Sequence, residues 1–114
     1  MQQITVTELK HLLDNVPNNV PDNDQPSPLL LDVREPWEFD ICRIEGSRLI
    51  PMRQIHAAVE QLDRDQHTVV ICHHGVRSRQ VCFYLMRMGF NNVVNLIGGV
   101  EAWAHEVDSN MPTY

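Results

Sequence analysis

The chain has little positive charge, no regular cysteine framework and no long apolar run, and each shortage excludes something. Lys10 is the only lysine, and nine cationic residues against fifteen acidic ones leave a net charge of -6. Proteins that bind nucleic acid normally present a basic patch, so a nucleic-acid partner is not expected. No apolar stretch approaches the roughly 20 residues of a membrane-spanning helix, so no membrane partner is expected either. The start, Met1-Gln2-Gln3-Ile4-Thr5, lacks the basic segment and apolar core of a signal peptide. A cytoplasmic location is the resulting expectation. Three cysteines, Cys42, Cys72 and Cys82, are odd in number and irregular in spacing. That suits a reducing compartment and leaves a free thiol to explain.

What is present fits one globular domain over residues 1–114, with 43% hydrophobic and 21% charged residues. Thr5-Val6-Thr7-Glu8 reads as a capping box, followed by the helical face Leu9, Leu12, Leu13. The stretch 17–28, PNNVPDNDQPSP, is too rich in proline and asparagine for helix or strand and reads as a loop. Leu29 to Val33, Ser47 to Ile50, Thr68 to Ile71 and Val93 to Ile97 read as short strands. Between them, helices are expected over 35–42, 52–62 (Ile55, Val59, Leu62), 78–88 (Val81, Leu85, Met88) and after Gly98-Gly99 (Val100, Trp103, Val107). Residues 108–114 read as an extended tail. Alternation of apolar strands with helices predicts an α/β fold: an open parallel sheet of about five short strands, with helices on both faces.

The chemistry concentrates in Val69-Val70-Ile71-Cys72-His73-His74-Gly75-Val76-Arg77-Ser78. Ligands of open α/β sheets bind beyond the carboxyl ends of the strands, which is where Cys72 falls. Inward-pointing backbone N–H groups and the start of the next helix make an anion cradle there. Gly75 frees the backbone to form the turn. Arg77 adds a permanent positive charge. Together they favour a reactive thiolate over an inert buried cysteine. Ser78 reads as the cap of the following helix, with donation to a substrate oxygen as the alternative. His73 and His74 read as groups that donate to the loop or adjust its charge. Neighbouring side chains rarely share one ligand sphere and no fourth ligand lies nearby in sequence, so no metal is expected. Cys82 reads as core, and Trp37 and Trp103 read as packing residues.

Three segments in order resemble the rhodanese family of sulfurtransferases: LLLDVREPWEFDICRIEGSRLIP, TVVICHHGVRS and GFNNVVNLIGGVEAWA. The resemblance covers nearly the whole chain. It implies that Cys72 takes a sulfane sulfur from a small anionic donor such as thiosulfate and carries it as a persulfide. An acceptor (cyanide in the assay, a thiol or a protein in the cell) then removes it. Residues His73, His74, Gly75, Val76, Arg77 and Ser78 would form the substrate cradle, with no metal or organic cofactor. Asp32 would support the loop by accepting hydrogen bonds, and Arg34 by pairing with a carboxylate; a solvated charge pair is the alternative. A relay module fed by a protein persulfide is the second functional possibility. Cysteine phosphatases, which share a related cradle, place five residues between cysteine and arginine. Here there are four, His73 to Val76, which disfavours phosphatase or arsenate reductase chemistry. The family often has Gly-His-Ile where this chain has Cys42-Arg43-Ile44, and Cys42 is expected to be structural.

Overall fold

The computed structural model describes residues 1–15 and 28–114. The expected loop 17–28 therefore lies, apart from Pro28, outside the described residues. Five strands form one parallel sheet in the order β1-β5-β4-β2-β3. They are β1 (Gln2–Ile4), β2 (Leu29–Asp32), β3 (Arg48–Leu49), β4 (Thr68–Ile71) and β5 (Val93–Leu96). The helices are α1 (Val6–Asp14), α2 (Pro36–Ile41), α3 (Ile55–Ala58), α4 (Val76–Arg87) and α5 (Gly99–Glu106).

Side chains alternate across a strand, and the two cores follow from that period. Val70 of β4 and Leu31 of β2 pack with Ile55, Val59, Val81 and Leu85. Val69, Ile71 and Leu30 pack on the opposite face with Leu9, Leu96, Val100 and Trp103. Every residue of β4 and β5 is buried, because each strand has a neighbour on both sides and helices above and below. Full burial of one such aliphatic side chain contributes about 1.5–3 kcal/mol.

The expected capping box is present: Thr5 Oγ1 accepts from the Glu8 amide at 3.1 Å, and Glu8 Oε1 accepts from the Thr5 amide at 2.9 Å. Pro36 opens α2, where its missing N–H costs nothing. Two expectations need correction. The segment 52–62 is not one helix but a 3-10 turn, the single α turn α3 and a second 3-10 turn. Its apolar positions Ile55, Val59 and Leu62 are nevertheless buried. Helix α4 starts at Val76, two residues before the expected Ser78, and Met88 falls beyond its end, exposed. Strand β1 was not expected, since Gln2 and Gln3 are exposed and carry no apolar pattern.

The sheet is the frame of the site. The residues that leave β2, β4 and β5 at their carboxyl ends are Val33-Arg34, Cys72-His73 and Ile97-Gly98. Three neighbouring strands therefore deliver the loops that meet around Cys72.

Candidate active site

Cys72 directly follows β4 and is buried, only 1% exposed. Its Sγ accepts a hydrogen bond from the Gly75 amide at 3.0 Å. That donor exists because Gly75 takes φ +102°, a left-handed conformation that L side chains rarely adopt. On its other side the thiol donates to Ser78 Oγ at 3.3 Å. Ser78 in turn donates to Asn95 Oδ1 on β5, and the Asn95 amide donates to Gly75 O at 3.3 Å and to Gln3 Oε1 at 3.2 Å. Ser78 is thus no helix cap. It lies fully buried in the first turn of α4, and Gly75 occupies the cap position. Ser78 and Asn95 form a polar strut that orients the sulfur and the turn together.

The glycine pair has a plain steric cause. A Cβ on Gly99 would lie 2.2 Å from Cys72 O and 2.5 Å from His73 O. Without it, the start of α5 closes on the loop: Val100 N donates to Cys72 O at 3.0 Å and Glu101 N to His73 O at 3.1 Å. The cysteine loop is bolted to α5 by its own carbonyls.

Arg77, expected as a permanent positive charge at the loop, is paired. Its guanidinium forms a bidentate pair with Glu38 of α2, at 2.6 and 2.8 Å, so its charge is balanced within the protein. The hydrogen bonds from Arg77, opposed by burial, lower the Glu38 pKa to about 2. Those same bonds raise Arg77 above its ordinary value. Asp32 and Arg34 are each 0% exposed and pair with one another, Nη2 to Oδ2 at 2.7 Å. The solvated-pair alternative is thereby excluded. Burial disfavours the Arg34 charge, but the hydrogen bonds it donates to Asp32 and Tyr114 outweigh that and raise the pKa.

Tyr114 links these pairs. Arg34 Nη1 donates to its hydroxyl at 3.0 Å, and the hydroxyl donates to Glu38 Oε2 at 2.7 Å. Its ring stacks on His73 with centroids 4.0 Å apart and planes at 14°. Burial, and the bond to Glu38, push its phenol up to about 12. The expected extended tail 108–114 is therefore pinned at its last residue to the cysteine loop. Trp37 meets Tyr114 edge-on at 5.8 Å and is 60% exposed, so it is not the packing residue expected; Trp103, at 7%, is.

His73 and His74 stack on each other at 3.9 Å, and His73 Nε2 lies 3.2 Å from Glu101 Oε2. Val76, at 60% exposed, sits on the outside of the loop. Cys42 packs in the α1/α5 core and Cys72 in the α3/α4 core, so the sheet lies between them. Cys82 shares the core of Cys72, and burial pushes its thiol up to about 12, as an inert core cysteine requires.

Strand-end cysteine, glycine turn and paired arginine occur on a parallel sheet whose class is known from its relatives. Residues 5–106 match the model of the rhodanese-like domain family, and the chain belongs to that family. Over 75 residues it is 37% identical to the thiosulfate sulfurtransferase GlpE of Pseudomonas fluorescens, covering 66% of this chain and 69% of that one. Over 89 residues it is 38% identical to the rhodanese-like/PpiC domain-containing protein 12, chloroplastic, of Arabidopsis thaliana, covering 75% of this chain. That match spans only 30% of the chloroplastic protein. The crystal structure of a rhodanese-like domain protein from Staphylococcus aureus is similar over 100% of this chain and 99% of that one, with a TM-score of 0.80 at 29% identity.

Four residues of the site were not singled out from the sequence: Glu38, Asn95, Glu101 and Tyr114. Asn95 carried a signal, as the one polar residue inside a fully buried strand. Glu38, Glu101 and Tyr114 sit on surface-type segments where charge and hydroxyl are ordinary.

Proposed function

We propose that the protein transfers sulfane sulfur through a persulfide on Cys72. The Cys72 thiolate attacks the outer sulfur of thiosulfate, the S–S bond of the donor breaks, and sulfite leaves with the electron pair. An acceptor nucleophile then attacks the outer sulfur of the persulfide, and Cys72 departs as thiolate. Each half-reaction is a displacement at sulfur, so the kinetics are ping-pong.

The observation that carries this proposal is the Gly75 amide aimed at Cys72 Sγ at 3.0 Å. A fixed N–H donor favours negative charge on the sulfur before transfer, and equally on the persulfide after it. Ser78, whose hydroxyl donates to Asn95, accepts from the Cys72 thiol and fixes the orientation of the sulfur. The Asp32–Arg34–Tyr114–Glu38–Arg77 chain of contacts braces the loop through Arg77, and Tyr114 stacks on His73. Similarity to a thiosulfate sulfurtransferase adds support for the donor class.

Steady-state rates with thiosulfate and cyanide test the proposal. Parallel double-reciprocal lines, abolished by Cys72→Ser, are expected; intersecting lines or an active Cys72→Ser variant would overturn it. A protein thiol or persulfide as the partner is the second reading, favoured by the exposed Trp37 and Val76 beside the loop. Trapping of a mixed disulfide at Cys72 with a protein would mark it.

A further inference from the structure

The sulfur-transfer proposal leaves one cluster beside the loop unused. His73, His74 and Glu101 each bring one ligand atom to within 4.8 Å of the other two. We propose that these three residues form a binding site for a borderline divalent transition-metal ion such as Zn²⁺, on the lip of the Cys72 loop. The proposal does not depend on the reaction at Cys72.

The donor set comes first. Two imidazole nitrogens and one carboxylate oxygen suit zinc and its neighbours, whereas calcium and magnesium prefer oxygen alone. A set of two histidines and one glutamate also matches tetrahedral zinc with one position left for water. Bonds of about 2.0–2.2 Å in that geometry put ligand atoms roughly 3.4 Å apart. His73 Nε2 and Glu101 Oε2 already stand at 3.2 Å. The remaining closure falls to His74, an exposed side chain that turns out of its 3.9 Å stack on His73 to complete the set.

The arrangement is also braced. Backbone bonds from Val100 to Cys72 O and from Glu101 to His73 O hold α5 against the loop, so both ligand-bearing backbones are fixed relative to one another. Tyr114 stacks at 4.0 Å on His73 and limits its rotation. His105 Nε2 lies 2.9 Å from Glu101 Oε1, the oxygen that does not face His73. It can thus hold the carboxylate from behind while Oε2 binds the ion, the outer-sphere support that metal carboxylates commonly have. Cys72 stays out of the set, because its sulfur is buried and engaged with Gly75 and Ser78. Sequence spacing could not reveal this site: Glu101 is 28 positions from His73.

The test is titration of the full chain with Zn²⁺ by calorimetry and with Co²⁺ by visible absorption, in wild type, Glu101→Gln, His74→Ala, His56→Ala and Cys72→Ser. One ion per chain is expected, with cobalt ligand-field bands and no thiolate charge-transfer band. Glu101→Gln and His74→Ala should each weaken binding by about tenfold or more while circular dichroism shows them folded, by analogy with loss of metal-site support. His56→Ala and Cys72→Ser should bind as wild type does. No binding at millimolar metal, unchanged affinity in the Glu101 and His74 variants, or loss of binding in Cys72→Ser would overturn the proposal.

Discussion

Replacing Glu38 with glutamine removes one charge from the pair that faces the loop, and its effect on stability should depend on pH. The Glu38 side chain is 5% exposed and meets Arg77 at 2.6 and 2.8 Å. Its pKa falls from the model-compound value of 4.5 to about 2, chiefly through hydrogen bonds from Arg77. At about 1.36 kcal/mol per pH unit, that difference corresponds to roughly 3 kcal/mol. Arg77 is a third exposed and is partly resolvated when its partner is lost, which brings the expected cost of Glu38→Gln to about 2 kcal/mol. A depressed folded-state pKa stabilises the protein above the unfolded-state value and ceases to do so as pH falls through the folded-state value. The gap between wild type and Glu38→Gln should therefore hold from pH 7 to about 5, then narrow to under half by about pH 3. Urea melts of both proteins across that range read it directly. A gap that stays constant to pH 3, or is absent at pH 7, would refute the reasoning.

Two further outcomes follow from the loop's supports. Gly99→Ala places a methyl 2.2 Å from Cys72 O, so α5 must retreat from the loop; a loss of more than about 2 kcal/mol in chemical denaturation is expected, and near-wild-type stability would contradict it. Asn95→Ala leaves Ser78 without its acceptor and the Gly75 carbonyl without its side-chain donor; it should cost about 1–3 kcal/mol and lower the rate of persulfide formation in stopped-flow measurements, whereas an unchanged rate would remove the strut from the account.

The parts of the site legible in the sequence are those that lie contiguous in it. Strand β4, Cys72, the glycine turn and Arg77 occupy ten consecutive positions, so local pattern alone brings them together. The parallel sheet was equally legible, because strands buried on both faces must be apolar throughout. What was missed depends on distance along the chain. Glu38 is 39 positions from Arg77, and Tyr114 is 80 from Arg34. Nothing local distinguishes them from a solvated carboxylate and a tail residue. The sequence displays the charge of Arg77 but not its partner Glu38, which offsets that charge at the loop. Ser78 was misassigned because α4 begins at Val76, and that boundary depends on Gly75 turning left-handed. Strand β1 is held by pairing with β5 and not by an apolar face, so its sequence pattern is silent.

The central claim is that Cys72 carries the transferred sulfur. Intact-protein mass spectrometry after incubation with thiosulfate, comparing wild type with Cys72→Ser, tests it most directly. The expected result is a gain of one sulfur atom on wild type, removed by cyanide and absent from the variant. No gain on wild type, or an equal gain on Cys72→Ser, would contradict the account.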